Sequence, residues 1–409
     1  MMKAPLKYAA SIVALMASAA VSAEDANSLA EMFEKADAGL DLRYRLESVD
    51  QDGFTKKATA STLLSKLYFR TAAFNGFSAY IEGTHTAVIG KDTYNSTVNG
   101  NTTRPVVADP ETTELNQAYL QYAGDFGTLR VGRQGVNLDN QRFIGTVGFR
   151  QNDQTYDAAT AVLTPMKNLT AIYGYVWNIN RIFGEDHPFG DLDTNSHIIN
   201  LTYDGFDFGK VTTYGYLIDL NDAPVFGLSS STFGVRFTGK RAVSEGVKVG
   251  YEFEYAQQSD YKDNPADYNA DYWRAGISGS VSGFTAGVNY ELLGADNGFS
   301  FQTPLATLHA QNGWADKFLS TPAGGLQDIW ATIAYKVQGD SALKGTVFKA
   351  IYHDFQSDVG DIDYGSEWDL LISKKINKNI TASVKAAFYQ ADAFATDTDK
   401  IWLTLAAKF

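Results

Sequence analysis

Arginines and carboxylates recur at alternate positions along this chain, and that spacing is where chemistry could reside. From Gly39 to Ser48, the residues Leu40, Leu42, Tyr44 and Leu46 share one parity, while Asp41, Arg43, Arg45 and Glu47 share the other. Lys66 and Arg70, Arg130, Lys210, Arg236 and Lys240, and Arg274 repeat the pattern in later segments, interleaved with Glu82, Asp157, Glu252, Glu254 and Glu291. A guanidinium keeps its charge and meets a carboxylate with a planar fork of donors. Two outcomes follow: Arg–carboxylate pairs that stiffen a surface, or an arginine-weighted constriction that selects anions. Nucleophilic chemistry has little material. Cysteine is absent, and His85, His187, His197, His309 and His353 show no matching Ser partner pattern, so no enzyme is expected.

Period-2 alternation places those residues on strands. Phe233, Val235 and Phe237 oppose Arg236; Val247, Val249, Tyr251, Phe253 and Tyr255 oppose Lys248, Glu252 and Glu254; Phe284, Ala286, Val288, Tyr290 and Leu292 oppose Asn289 and Glu291. Short connectors such as Asn75-Gly76 and Ser282-Gly283 alternate with nine longer ones, about 49–59, 90–112, 134–154, 180–193, 220–229, 258–270, 294–326, 356–365 and 391–398. Gly and Asn supply the positive φ of tight hairpins. Nine hairpins predict an all-β fold. It is a single antiparallel transmembrane β-barrel of about 18 strands over 39–409, with short periplasmic turns and long extracellular loops. Tyr44, Trp177, Tyr203, Tyr255, Trp273 and Trp368 are expected in aromatic girdles at the membrane interface.

Residues 1–23 read as an export signal, with Lys3 and Lys7 before an apolar run and a small-residue site at Val21-Ser22-Ala23. Residues 24–38 then form a short periplasmic segment of one amphipathic turn or helix. The formal charge is −13, and loss of the two leader lysines makes it more negative. This balance excludes nucleic acid as a partner, because phosphate binding needs basic surface. Acids crowd the long connections, among them Asp109, Glu111, Glu185, Asp186, Asp191, Asp193, Asp260, Asp263, Asp267, Asp358, Asp361 and Asp363. They read as solvated loop surface. A second reading has Ca²⁺ bound there, bridging to lipopolysaccharide, although no EF-hand spacing is present. No other cofactor is expected.

The third long connection, from Gly132 to Thr155, is dense in Arg, Asn, Gln and Asp with four glycines. Such a segment suits folding inside a wet lumen, where sugar hydroxyls and carboxylates need that mixture of groups. Its run Gly132-Arg133-Gln134, Asn140-Gln141-Arg142-Phe143-Ile144-Gly145 and Phe149-Arg150-Gln151-Asn152-Asp153-Gln154-Thr155-Tyr156-Asp157 resembles the alginate-export family of outer-membrane barrels. Ala108–Leu115, Phe301–Thr307 and Asn312–Phe318 support the likeness. The resemblance implies a monomeric 18-stranded barrel in the outer membrane of a Gram-negative bacterium. It would pass anionic polysaccharide or its fragments by passive diffusion through an arginine-lined constriction. It makes Arg130, Arg133, Arg142 and Arg150 the selective ring, with Asp157 as an internal partner. Arg43, Arg45, Arg70, Arg236 and Arg274 complete the expected pore lining. A general small-solute porin is the alternative, and a structural or adhesin barrel a further one. Loop 294–326, with Phe299, Phe301, Trp314 and Phe318, is expected to pack against the rim, or else to cap the external mouth or stack on sugar rings.

Overall fold

The computed structural model describes residues 25–223 and 225–409, so the expected leader lies outside the described residues. Eighteen strands form one antiparallel sheet. They are β1 (Asp37–Gln51), β2 (Ala58–Arg70), β3 (Phe77–Val88), β4 (Thr112–Gly124), β5 (Gly127–Gln134), β6 (Thr155–Met166), β7 (Leu169–Asn180), β8 (Asp191–Phe206) and β9 (Gly209–Ile218). The second half comprises β10 (Ser230–Ser244), β11 (Val247–Asp260), β12 (Asn269–Val281), β13 (Phe284–Leu293), β14 (Leu326–Lys336), β15 (Val347–Gln356), β16 (Asp363–Lys375), β17 (Ile380–Ala391) and β18 (Thr398–Lys408). Each strand pairs with its neighbours in sequence, and β18 returns to β1 in a register from Asp41↔Lys408 to Gln51↔Thr398. The sheet is therefore a closed barrel, which leaves no strand edge to be satisfied by lipid.

Burial runs opposite to that of a water-soluble protein. Leu67, Leu120, Ile277 and Ile333 point outward with 58–67% of their surface exposed, while Glu47, Glu254, Glu291 and Asp369 point inward and are buried. Leaving a Leu or Ile in water forfeits about 1.5–3 kcal/mol per side chain. Dozens of them around one belt are stable only against hydrocarbon.

Connections alternate in length. Asn75-Gly76 (φ 51° and 82°) and Ser282-Gly283 (φ 47° and 88°) have two successive positive φ angles. That is the type I′ geometry that matches strand twist. The nine long connections fall where the sequence places them, as 52–57, 89–111, 135–154, 181–190, 219–229, 261–268, 294–325, 357–362 and 392–397. Strand β1 is longer than the expected Gly39–Ser48, because pairing with β2 begins at Asp37 and pairing with β18 continues to Gln51. Of the expected girdle residues, Trp177, Tyr203, Trp273 and Trp368 are outward and exposed, but Tyr44 sits in the middle of β1. Residues 25–36 contain one helical turn, α1 (Leu29–Glu34), capped by Ser28. Met32 and Ala26 pack on Ala72 in the β2–β3 turn.

Candidate functional site

Two of the long connections turn inward and meet in the lumen. Loop 135–154 is held in its path by its own backbone bonds, Leu138 N–H to Ile144 O at 3.1 Å and Gln154 N–H to Thr146 O at 2.7 Å. Its Asp139, Gln141 and Val147 all adopt positive φ, which is costly for a β-branched residue such as Val147 and is found where surrounding contacts over-determine the backbone. Loop 294–325 supplies those contacts. Gly145 N–H donates to Leu305 O at 2.9 Å, Thr307 N–H to Gln141 O at 3.0 Å, and Val147 N–H to Thr307 Oγ1 at 3.1 Å. Gly145 is required here, since a Cβ would lie 2.3 Å from Thr307 Oγ1. Phe143 at the loop tip packs among Tyr214, Tyr216, Tyr272 and Phe301, with ring centroids 5.2–5.9 Å away. The start of loop 294–325 packs on the rim as expected, where Asp296 accepts from Asn269 N–H at 2.9 Å and Asn297 Nδ2 donates to Asp267 O at 3.1 Å, and the loop then turns inward with Phe301 and Phe318 buried.

Charges join the loops to the wall at the β17–β18–β1 seam. Arg150 reaches Glu47 of β1 at 3.1 Å, Asp109 at 3.7 Å and Asp316 at 3.0 Å. Lys400 of β18 also holds Asp316, at 2.8 Å. His309 stacks on Phe149 with centroids 3.5 Å apart, contacts Asp316 through Nδ1 at 2.7 Å, and meets Lys385 Nζ through Nε2 at 2.6 Å. Lys385 is also 3.7 Å from the Trp314 ring centroid. Burial holds the His309 imidazole well below its ordinary pKa; Lys385 and Arg150 push the same way and Asp316 opposes them. An ammonium at Lys385 needs an acceptor at Nε2, so the geometry suits a ring that donates from Nδ1 to Asp316 and accepts at Nε2. Burial alone would raise the Asp316 carboxyl, but His309, Lys400 and Arg150 outweigh it and hold it well below the usual carboxylate range. A third set of carboxylates, on β13, β14 and β16, accepts from residues 312–315. Asn312 Nδ2 donates to Glu291 at 2.7 Å and to Asp328 at 3.2 Å, Trp314 N–H to Asp369 at 3.2 Å, and Ala315 N–H to Glu367 at 2.7 Å.

The arginines singled out from the sequence fall into three groups. Arg45, Arg142, Arg150 and Arg236 are 1–8% exposed, packed between wall and loop and away from open water. Arg45 donates to Phe149 O at 2.6 Å, Arg142 pairs with Glu291 at 3.2 Å, and Arg236 pairs with Glu252 at 2.9 Å and Glu254 at 3.2 Å. Arg274 is similarly shared between Glu252 and Glu291, at 2.9 and 3.2 Å. Arg43, Arg70 and Arg130 are inward and half-buried. Arg43 donates to Gly148 O at 2.7 Å and to Gln151 Oε1 at 2.9 Å.

Arg133 and Asp157 form the third group and require a correction. They pair with each other at 2.8 Å, but Arg133 shares its parity with Leu129 and Val131, which are exposed on the outer face. Strand β5 continues through Gly132-Arg133-Gln134, so it is Gln134, 0% exposed, that faces in. The pair lies on the outside of the barrel and does not line the lumen.

Reading the sequence missed Asp109 as a buried partner, along with His309, Asp316, Lys385 and Lys400. Asp109 was expected on solvated loop surface, yet it is 0% exposed and accepts from Gln151 N–H at 2.8 Å. Asp316 stands in the Asn312–Phe318 segment already marked as distinctive, which was the available signal. Among the described residues no group of three or more His, Cys, Asp or Glu side chains is placed to hold a metal ion.

A family model described as alginate export matches residues 34–302. No curated protein matches the chain. Among solved structures, OccAB4 of Acinetobacter baumannii is similar with a TM-score of 0.72 at 15% identity, covering 91% of this chain and 98% of that one. OccK9 (OpdG) of Pseudomonas aeruginosa gives 0.73 at 15% identity, with 92% and 99% covered. OpdQ of the same organism gives 0.71 at 14% identity, with 93% and 99% covered. At these identities the likeness speaks for the barrel architecture.

Proposed function

Since this chain belongs to the alginate export family, we propose that it is an outer-membrane channel for passive diffusion of anionic or polar oligosaccharides of the uronate class. The observation that carries the reading is the meeting of loops 135–154 and 294–325 inside the lumen, where Arg142 and Arg150 stand among wall carboxylates. A constriction of fixed, water-excluding charge discriminates solutes by charge and shape. In this scheme three half-buried arginines meet the solute's carboxylates, Arg43 beside the loops and Arg70 and Arg130 along the lumen toward the short-turn mouth. The buried arginines hold the loops in place. Short turns face the periplasm and long loops the exterior, and the barrel works as a monomer among lipid and lipopolysaccharide.

Pairing of Arg142, Arg150, Arg236 and Arg274 with carboxylates favours one second reading, a general small-solute channel without anion preference. The test is the reversal potential of the purified barrel in a planar bilayer under a salt gradient, with and without added oligouronate. Anion selectivity with current block by the oligouronate is expected. Cation selectivity without block overturns the acidic-sugar reading in favour of the general channel.

A further inference from the structure

Between the loop contacts and the short-turn mouth, the inner wall carries a row of tyrosines that the constriction does not use. Arg70 pairs across strands with Tyr80, Tyr80 with Tyr119, and Tyr68 with Glu82. Their level is fixed by the pair Asp37↔Arg70, which joins the short-turn ends of β1 and β2. Tyr68 and Tyr80 are near-parallel, with centroids 5.9 Å apart and planes at 22°; Tyr80 and Tyr119 are 5.2 Å apart, again at 22°. Arginines lie against two of the rings, Arg70 with Cζ 5.3 Å from the centroid of Tyr80 in the middle of the row and Arg130 with Cζ 4.8 Å from that of Tyr119 at its end.

Rings in full face contact stack about 3.5 Å apart, so these centroid separations mean a sideways slip of about 4–5 Å. Such a slip leaves part of each face uncovered. Tyr68 and Tyr80 are only half-buried, whereas Tyr119 is covered and backs the row. The nearby carboxylates are already engaged. The Tyr68 hydroxyl donates to Asp37 at 3.2 Å and the Tyr80 hydroxyl to Glu82 at 2.7 Å. Glu82 also accepts from Asn116 at 2.5 Å and from Gln117 at 3.2 Å, because a bulge in β4 turns both amides inward.

We infer that this row is a second binding subsite, which takes the C–H face of a pyranose ring against Tyr68 and Tyr80 and the carboxylate of that sugar on Arg70. An apolar sugar face meets an aromatic face much as an aliphatic one does, and the guanidinium fork supplies selection for the acid. The subsite collects solute on the short-turn side, ahead of or behind the loop constriction according to the direction of travel. This inference rests on the acidic-saccharide reading above.

The experiment records current block by single full-length channels in a planar bilayer, with a uronic acid trisaccharide or a neutral trisaccharide added to one side at a time. Tyr80→Leu and Tyr68→Leu are expected to shorten the dwell time of both sugars about fivefold when added from the short-turn side. Tyr80→Phe, which keeps the ring, should leave dwell times within about twofold of wild type. Arg70→Gln should shorten only the acidic block. Wild-type dwell times in leucine variants of unchanged open conductance would overturn the subsite and leave the proposed function standing. Block of the wild type by the neutral sugar alone would overturn the acidic part of both readings, and no block by either sugar would overturn both entirely.

Discussion

Arg150 shows how a residue chosen for selectivity can be committed to architecture. Its guanidinium serves Glu47, Asp109 and Asp316 at once. Removing one member of a buried charge set costs about 3–5 kcal/mol, because its partners are left uncompensated. Arg150→Gln should therefore release the loops, raising single-channel conductance and current noise, whereas a purely selective role would alter reversal potential alone. Arg133→Gln is the contrasting case. The pair with Asp157 is on the outer face and partly exposed, so conductance and selectivity should both stay at wild-type values in the same bilayer recordings.

His309 adds a pH dependence of known sign. Its pKa is lowered when it is seated, so protonation is disfavoured there and unhindered once the loop is released. Loop seating is then insensitive to pH above the ordinary value of 6.5 and weakens as pH falls below it. Asp316 acts in the same direction at lower pH: its contribution is complete above 3.8 and is lost as pH falls through its depressed value. Conductance recorded from pH 8 downward should be flat to about 6.5 and then rise; His309→Gln should remove the first part of that rise.

Among the elements, the strands were legible in the sequence and the destinations of the loops were only half so. Alternation of Leu40, Leu42, Tyr44 and Leu46 against Arg43, Arg45 and Glu47 assigns two faces, because neighbouring side chains on a strand point opposite ways. Alternation misplaces Asp157 at the start of β6 and a motif likeness misplaces Arg133 at the end of β5, both at strand ends where a one-residue slip exchanges the faces. Loop 135–154 could be read as inward from its amide-rich composition. Loop 294–325 could not, because its aromatics serve equally for a rim or an interior seat. What decides is the seat itself, Tyr214, Tyr216 and Tyr272, three inward aromatics that strand periodicity alone would count as lipid-facing. The joint between the loops is narrow at Gly145. Gly145→Val should force Thr307 away and separate them. The expected result is raised conductance in an otherwise intact barrel, as judged by unchanged heat-modifiable mobility on gels. Deleting 300–320 should raise conductance further.

For the whole molecule, an inside-out burial pattern and a sheet without edges are two aspects of one requirement. Hydrocarbon outside accepts no backbone hydrogen bonds, so each must be made within the sheet. Truncation before Thr398 would expose the ladder of β1 and that of β17 together. Such a chain should fail to give the heat-resistant compact band of the folded barrel.

The seam between β1 and β18 also dictates a timetable. Its contacts join positions as far apart as Asp41 and Lys408, 367 residues along the chain. Drawing ends so distant together costs about 5 kcal/mol in chain entropy before any bond across the seam forms. The strand that completes the cylinder, β18, follows all seventeen others along the chain. A nascent chain therefore has no finished wall to offer a bilayer until β18 has been made, and it must be kept from aggregating for the whole of that wait.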